Sequence, residues 1–412
     1  MNTSVADVAI IGGGLSGGLL ALALAERRPD CRIVLVEAGE RLGGNHVWSF
    51  FAPDVGADLG WLVDPLVAHR WQGYSVDFGP DAGKGARHLD TPYRSITSEH
   101  FDAVLRARLP QGAVLCGARV ADFGADFVDL ADGRRIAAGA VVDARGAAVL
   151  PGMVGGWQKF VGQRLKLAAP HGLTEPVVMD ASQGQIDGFR FVYVLPFGPD
   201  EVFVEDTYYS ASPVIDRDAL AQRIADYARA CQWSVVEVSG EEQGCLPVVA
   251  GGNPAALFTA PDGVARIGTG AGLFHPLTGY SLPMAAQTAA ALASQPDLSG
   301  KALATAARDL ALRHWRQGAY YRLLARMAFG AARPDQRYRV FKRFYTLSPR
   351  LIERFYAGRS TWRDRLRILA GKPPVSVLAA LRCLSGGGIP LAQLDDLGAN
   401  AHPPHNAENE AL

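Results

Sequence analysis

Apolar residues near the start of the chain fall into three runs that differ in length and spacing. The first run ends at Ile11, an Ala- and Leu-rich segment without charged residues continues to Ala25, and a third run ends at Glu37. Short apolar runs bounded by turn residues are typical of buried strands, whereas a longer run of this composition favours a helix. The pattern over residues 5–37 therefore predicts a strand, a turn, a helix and a second strand.

Three glycines occupy the predicted turn in the spacing G-x-G-x-x-G, namely Gly12, Gly14 and Gly17. In dinucleotide-binding proteins such glycines let the backbone approach a pyrophosphate, and the helix N-terminus supplies free N–H groups and a positive dipole end. Glu37, about 20 residues further on, is placed to accept hydrogen bonds from a ribose. Glycines in this spacing can also form a simple tight turn, but the flanking strands, helix and acid together predict a dinucleotide site.

The uncharged run from Val8 to Ala25 is nearly long enough to cross a bilayer. It contains five glycines, however, and is preceded by Asp7 and not by basic residues. Both features argue against a membrane span or a secretory signal. We therefore expect a folded, cytoplasmic N-terminus.

Later turns are expected to join this site. A glycine turn follows Glu37, a strand ends in Asp-x-x-Gly near residue 143, and a third glycine turn precedes a small-residue helix over residues 278–293. In flavoproteins of the glutathione-reductase type, turns at these places lie against the cofactor, although Asp-x-x-Gly alone can also be a simple strand end. The residues that we expect there are Arg41, Gly44, Asp143, Gly268, Gly270 and Gly272.

The middle of the chain has a different sequence pattern. Over residues 155–246, segments rich in aromatic residues alternate between apolar and polar positions, which predicts antiparallel strands. In one of them, alternation places Glu205 with Phe203, Thr207 and Tyr209 on one face and Asp206 on the other. A carboxyl among aromatic rings is desolvated, which raises its pKa and suits it to donate and accept protons near neutral pH. The alternative is an edge strand whose two carboxylates face solvent.

Composition limits the kind of protein, and the distribution of charge indicates a partner. The chain is 49% hydrophobic and 20% charged, which is ordinary for a globular protein, and its five cysteines form no C-x-x-C pair, so we expect neither a disulfide framework nor a metal site. Net charge is zero, but residues 313–382 carry 17 Lys and Arg against three acidic residues. This asymmetry indicates an anionic partner.

The basic region supplies a candidate for that partner. Bulky apolar residues recur at helical spacing over 340–356, with Lys and Arg between them. Such a helix can lie in the headgroup layer of an anionic membrane, or it can pack its apolar face in the core and leave its basic face in solvent. We find no nucleic-acid-binding motif and no apolar span of about 20 residues, so we expect peripheral membrane attachment. The apolar residues concerned are Val340, Phe341, Phe344, Tyr345, Leu351, Ile352, Phe355 and Tyr356.

The sequence thus predicts an α/β protein of the glutathione-reductase type, with a Rossmann-like FAD-binding domain, a mixed β-sheet substrate domain and a C-terminal helical region. The FAD-binding domain is discontinuous, and the last residues, rich in Ala, Asn, His and Pro, are expected to be disordered. The predicted divisions are 1–75, 95–150 and 260–310 for FAD binding, 76–94 and 151–259 for the substrate domain, 311–390 for a basic membrane-facing region, and 391–412 for a disordered tail.

Four segments together resemble the bacterial lycopene β-cyclases: IIGGGLSGGLLALAL, RLGGNHVWSF, FVEDTYYS and IGTGAGLFHPLTGYSLP, in a match that extends to about Leu384. The resemblance implies that Glu205 is the essential acid, with Asp206 beside it, in a Phe-x-Glu-Asp/Glu-Thr motif. It implies that His275 and Gly279 lie at the flavin, although His275 can equally be a structural histidine. Thr269 replaces an acidic residue that is usual after the Ile-Gly pair.

The same resemblance implies the chemistry. Reduced FAD, supplied with electrons by NAD(P)H, assists a redox-neutral cyclisation of the acyclic ends of lycopene to β-ionone rings. The implied partners are lycopene and other enzymes of the carotenoid pathway. The basic region, independently of the resemblance, predicts the cytoplasmic face of an anionic membrane as a further partner. Two alternatives stay open: an FAD-dependent hydroxylase or polyprenyl reductase, and a nucleotide-binding membrane-associated protein without catalytic activity.

Overall fold

The computed structural model describes residues 3–79, 86–147, 149–370 and 377–395. Within these ranges the strands are β1 (Thr3–Ile11), β2 (Ile33–Val36), β3 (Val47–Phe51), β4 (His69–Trp71), β5 (Tyr74–Asp77), β6 (Arg87–Leu89), β7 (Tyr93–Thr97), β8 (Val114–Leu115), β9 (Val120–Phe123), β10 (Phe127–Leu130), β11 (Arg135–Asp143), β12 (Met153–Leu167), β13 (Val177–Asp180), β14 (Phe189–Pro196), β15 (Glu201–Ser210), β16 (Val235–Gly252), β17 (Ala265–Arg266) and β18 (Ala392–Gln393). The α-helices are α1 (Leu15–Arg27), α2 (Gly60–Val63), α3 (Ser98–Arg108), α4 (Arg217–Ala230), α5 (Leu282–Ala293), α6 (Gly300–Gln317), α7 (Ala319–Gly330), α8 (Tyr338–Phe344), α9 (Pro349–Tyr356), α10 (Trp362–Leu369) and α11 (Val377–Leu384).

The first sheet contains the predicted N-terminal strand–helix–strand unit as β1, α1 and β2. Strands β8, β2, β1 and β11 are parallel neighbours, β17 lies parallel to β11, and β10 and β9 add an antiparallel edge. Helices α1 and α5 pack against each other and share one apolar core with the central strands. Because the carboxyl ends of parallel strands meet at one edge, the turns that follow β1, β2, β11 and β17 are brought together.

The second sheet is mixed, in the order β16, β12, β15, β14, β13, β5 and β6. Its neighbours are antiparallel except for β13 and β5, which are parallel. Strand β12 pairs along most of its length with both β15 and β16. One face of the sheet is covered by α4, and the other carries an aromatic core that the C-terminal helices complete. The α/β fold class is confirmed, whereas the exact domain boundaries remain a prediction.

The apolar residues of the basic region lie in this core and not on a membrane-facing surface. Phe341 in α8 stacks on Phe189 of β14 with ring centroids 4.3 Å apart. Ile352 and Phe355 in α9 are 1% and 4% exposed. The interpretation of this face as a membrane contact is therefore wrong, because the aromatic face of the sheet needs an apolar cover and α8 and α9 supply it. The core-packing alternative is correct.

The C-terminal end also differs from its prediction. Ala392 and Gln393, inside the predicted disordered tail, form β18 and pair with β12, and Leu394 is fully buried. The rest of that predicted tail, residues 396–412, lies outside the described residues. Within the part of the chain that the structure describes, no helix is both long enough and apolar enough to span a bilayer.

Candidate active site

The predicted dinucleotide turn lies between β1 and α1. Gly12 has φ +101°, in the left-handed region, and a Cβ on Gly17 would lie 1.9 Å from the Gly12 carbonyl oxygen, so both positions require glycine. By contrast, a Cβ on Gly14 would meet no described atom within 4 Å. Gly14 is also the N-cap of α1, and no described side chain caps that end. The turn therefore presents open space and free N–H groups, which is what a pyrophosphate needs.

Glu37 braces this turn from the end of β2. Its Oε2 accepts a hydrogen bond from the Gly13 amide at 2.7 Å, and its Oε1 accepts one from the Gly39 amide at 2.8 Å. Each carboxylate oxygen can accept a second hydrogen bond. Glu37 thus fixes the turn and retains the capacity to bind a ribose hydroxyl.

The turn over residues 41–44 lies directly on the first one. The Gly43 amide donates to the Gly13 carbonyl at 3.0 Å, and Gly44 has φ +63°. The side chain of Arg41 is exposed at the rim. The structure therefore brings Arg41 and Gly44 next to the predicted nucleotide turn.

Two other predicted turns meet at the same edge. Asp143, at the end of β11, forms an ion pair with Arg145 at 2.8 Å, and the backbone of this turn touches Gly12. Gly268, after β17, approaches α1 so closely that a Cβ would lie 2.8 Å from the Ser16 hydroxyl. Gly270 and Gly272 continue this turn, in which the Thr269 hydroxyl accepts a hydrogen bond from the Ala147 amide at 3.0 Å.

The chain then crosses from the first sheet to the second. Gly279, with φ +72°, lies beside Leu246 and Gln158 of the second sheet. His275 is 5% exposed, and its Nδ1 accepts from the Thr278 amide at 3.2 Å while its ring packs on Tyr321 and Phe355. Burial lowers the pKa of His275 to about 3, so this imidazole is neutral. These contacts support a structural role for His275.

Glu205 lies at the centre of the second sheet, opposite Tyr193 of β14 and Gly162 of β12. The Thr207 hydroxyl donates to its Oε1 at 2.5 Å. Because β15 is paired on both sides, the edge-strand alternative is wrong. Burial raises the pKa of Glu205 to about 8, and the nearby Glu242 carboxylate adds to this effect. Glu205 therefore carries a proton at neutral pH.

Tyrosine hydroxyls and aromatic rings surround this carboxyl. The hydroxyl of Tyr93 lies 2.9 Å from that of Tyr193 and 3.2 Å from that of Tyr280. The Phe203 ring covers Gly162, where a Cβ would lie 2.3 Å from the ring. Burial raises the pKa of all three tyrosines well above its usual value, so they stay neutral.

Asp206 lies on the opposite face, as the strand alternation predicts. It is fully buried, and it accepts from the Arg190 guanidinium at 2.7 Å and from the Tyr208 hydroxyl at 2.5 Å. The Arg223 guanidinium donates in turn to Tyr208 at 2.6 Å. The structure thus separates Asp206 from Glu205 and ties it into an ion-pair network beneath α4.

The sequence did not indicate Glu242, His46, Tyr93 or Tyr193 as residues of this site. Glu242 is 37 residues from Glu205 in the sequence. It lies on the same sheet face because β15 and β16 both pair with β12. His46, in the turn after Gly44, binds Glu242 at 2.9 Å. No local pattern signals such long-range register, although the alternation of β14 places Tyr193 on one face with Phe189 and Phe191.

Solved structures of flavin-dependent enzymes share this fold. The chain aligns with PqsL, a probable FAD-dependent monooxygenase from Pseudomonas aeruginosa, with a TM-score of 0.56 and 19% identity over 84% of this chain and 100% of that one. It aligns with the flavin-dependent brominase Bmp2 with a TM-score of 0.60 and 14% identity over 89% and 98% of the two chains. The protein therefore has the Rossmann-like α/β fold of FAD-dependent enzymes, as predicted.

Sequence relatives define the family. Residues 7–382 match the family described as lycopene cyclase protein. The lycopene beta-cyclase of Pseudescherichia vulneris is 45% identical over 377 residues, which cover 91% of this chain and 96% of the relative. That of Pantoea ananas is 42% identical over 378 residues, 92% and 97% of the two chains. The chain belongs to the lycopene cyclase family, which confirms the resemblance.

Proposed function

We propose that this protein is a lycopene β-cyclase that closes the acyclic ends of lycopene into β-ionone rings, with Glu205 as the acid and base. The relatives named above are lycopene beta-cyclases that align with almost all of the chain. The observation that carries the proposal is the position of Glu205 on an aromatic sheet face, where burial raises its pKa to about 8. A cyclisation started by a proton requires such a group.

The reaction follows from the proton on Glu205. The carboxyl transfers this proton to the terminal carbon–carbon double bond of the polyene, which leaves a tertiary carbocation. A neighbouring double bond attacks that cation, so that a carbon–carbon bond closes the ring and the charge moves to a ring carbon. Return of a ring proton to the Glu205 carboxylate forms the ring double bond. Atoms and electrons balance, and the product is an isomer of the substrate.

The surroundings of Glu205 suit a carbocation. Aromatic faces attract cations by about 0.5–2 kcal/mol each, and more when water is excluded. The rings of Phe203, Tyr193 and Tyr280 supply such faces, and the tyrosine hydroxyls are bonded to one another through Tyr93. These side chains stabilise the charge and exclude the water that would quench it.

The turns at the first sheet fit FAD, because Gly14 leaves open space at the N-terminus of α1 and Glu37 keeps acceptor capacity. We assign its binding to Gly12, Gly14, Gly17, Glu37, Arg41, Gly44, Asp143, Gly268, Gly270, Gly272 and Gly279. When bound there in its reduced form, which NAD(P)H would regenerate, FAD would supply negative charge that favours a cationic reaction path.

Flavin binding is tested by Gly14→Trp. A Cβ at this position would meet no described atom within 4 Å, so the fold should survive while the tryptophan blocks the pyrophosphate and the yellow chromophore is lost. Gly184, exposed on a distant loop with equally open space, is the matched control, and Gly184→Trp should keep the flavin. Full flavin retention in Gly14→Trp would refute the assignment of this turn.

We also propose peripheral attachment to the cytoplasmic face of an anionic membrane, through a surface that lies within the predicted membrane-facing region 311–390 but beyond the buried residues of 340–356. Trp362 and Leu366 in α10 are 66% and 59% exposed, and Leu378 and Leu381 in α11 are 68% and 59% exposed. Exposed arginines accompany them at positions 363, 365, 367 and 382. Apolar residues flanked by basic ones favour the headgroup layer, where lycopene and other pathway enzymes would be reached.

Vesicle binding distinguishes this surface from the rest of the molecule. Changing Trp362 and Leu366 to Ser should weaken sedimentation with anionic vesicles about tenfold or more, because about 1.5–3 kcal/mol is lost for each bulky apolar side chain. Val236→Ser removes a side chain that is 63% exposed on β16 and should leave binding unchanged. Equal loss in both variants would contradict the assignment.

Anaerobic incubation with lycopene tests the reaction itself. The wild-type protein with reduced FAD should give a product of unchanged mass, and in deuterated water the ring should gain solvent deuterium. A hydroxylase or reductase would change the mass of the product, and a binding protein would give none. Either result would overturn the proposed function.

A further inference from the structure

Glu242 shares the sheet face of Glu205. In the pairing of β15, β12 and β16, Glu205 lies opposite Gly162, and Gly162 lies opposite Glu242. Residues directly opposite on neighbouring strands point to the same face. The two carboxyl groups therefore flank a position without a side chain, two strand spacings or about 10 Å apart at the backbone.

Two groups of β3 and the turn before it fix the Glu242 carboxylate. The Val47 amide donates to its Oε2 at 3.1 Å, and the His46 imidazole lies 2.9 Å from its Oε1. Only 6% of the Glu242 side chain is exposed, whereas 49% of His46 is exposed. Burial alone would lower the pKa of His46, but the hydrogen bond and charge of Glu242 outweigh it and raise that pKa. Hydrogen bonds to a carboxylate are stronger than those between neutral groups, so these two contacts hold the Glu242 side chain firmly in place.

Other charges near Glu205 are compensated. Asp206 on β15 faces away and is paired with Arg190 of β14. Arg164, two residues beyond Gly162 on β12, is paired with Glu99 and Glu201.

The other titratable groups that the structure describes on the Glu205 face are uncharged near neutral pH. Tyr193 of β14 lies opposite Glu205 and is linked to Tyr93 of β7 and, through it, to Tyr280 of the loop before α5, and burial raises the pKa of all three. His69 of β4, which stacks on Phe197, has its pKa lowered to about 4 by burial.

We propose that Glu242 is a positioning residue for the cyclisation: fixed by His46 and the Val47 amide, its negative charge favours the proton-carrying form of Glu205. This inference rests on the proposed role of Glu205 as the acid. A carboxylate disfavours ionisation of a second carboxyl on the same dry surface. The consequence is that Glu205 keeps its proton to a higher pH than burial alone would allow.

The test removes the charge of Glu242 and follows pH dependence. In wild type, kcat/KM plotted against pH should fall at alkaline pH as Glu205 loses its proton. In Glu242→Gln this alkaline limb should move to lower pH by on the order of one pH unit, with a smaller change in the plateau value of kcat/KM at low pH. Glu242→Asp, which keeps the charge, should restore the limb towards its wild-type position. A residue with a purely structural role would lower the plateau and leave the limb in place.

Glu241 provides the matched control. Glu241 immediately precedes Glu242 on β16 and therefore points to the opposite face of the sheet, where it binds Gln163 and Arg217. Glu241→Gln removes one negative charge from the same strand and should leave the limb unchanged. An equal shift in Glu241→Gln and Glu242→Gln would contradict the proposal, because it would show a general charge effect.

An infrared titration separates this proposal from the proposed function. The protonated carboxyl band that disappears in Glu205→Gln reports Glu205 without turnover, and its midpoint should fall by the same shift in Glu242→Gln. An unchanged midpoint would overturn the role of Glu242 even if Glu205 proves essential. Should Glu242→Gln not fold, Glu242→Ser, which leaves room for a water to bridge His46 and Val47, should give the same shift in both measurements.

Discussion

The two faces of the second sheet show how differently two adjacent carboxylates can be used. Asp206 is sealed beneath α4, with Arg190 and Tyr208 bonded to its two oxygens. Glu205, one residue earlier, has a Thr207 hydroxyl as partner and faces tyrosines. Burial with a cationic partner produces a structural ion pair, whereas burial without one produces a carboxyl that holds its proton.

The largest effect that tests this contrast is loss of catalysis in Glu205→Gln. The amide keeps the shape of the side chain but cannot exchange a proton near neutral pH, so product formation should fall by roughly 10²-fold or more. Flavin content and thermal unfolding should match the wild-type protein. Turnover of lycopene close to the wild-type rate would transfer the acid role to another group.

On the other face, Asp206→Asn should affect stability more than chemistry. Removing one member of a buried ion pair leaves its partner uncompensated, and the expected loss is about 3–5 kcal/mol in the free energy of unfolding. The protein that remains folded should cyclise lycopene much faster than Glu205→Gln does. Denaturant unfolding of Asp206→Asn, Arg190→Gln and the double variant should be non-additive, since both residues belong to one network. Additive losses would contradict the pairing.

A smaller effect concerns the pH dependence of stability. Glu205 has a pKa of about 8 in the folded protein against 4.5 as its ordinary value, so the folded state binds more protons between these values. Its contribution to stability is complete below about pH 4.5 and is lost as pH rises through 8. The melting temperature of Glu205→Gln relative to wild type should therefore rise across this window. Asp54, whose pKa burial also raises to about 8, is common to both proteins and cancels.

Some of these features can be predicted from the sequence and others cannot. The order of strand, glycine turn, helix and acid over residues 5–37 is local, and the opposite faces of Glu205 and Asp206 follow from the two-residue period of a strand. Glu242 and Tyr93 reach the same site through long-range strand pairing and loop packing, which no local pattern encodes. Phe341 and Phe355 have a spacing that suits a membrane surface and a protein core equally well, so periodicity could not decide between them.

Gly162 has a consequence for how this site tolerates change. The Phe203 ring occupies the space above its backbone, where a single methyl group would lie 2.3 Å from the ring. An alanine at 162 would therefore displace the ring that covers the floor of the site, although residue 162 has no functional group to lose. In a scan of all substitutions scored by pigment colour, position 162 should be as intolerant as Glu205, and its variants should fail through shape and not through proton transfer.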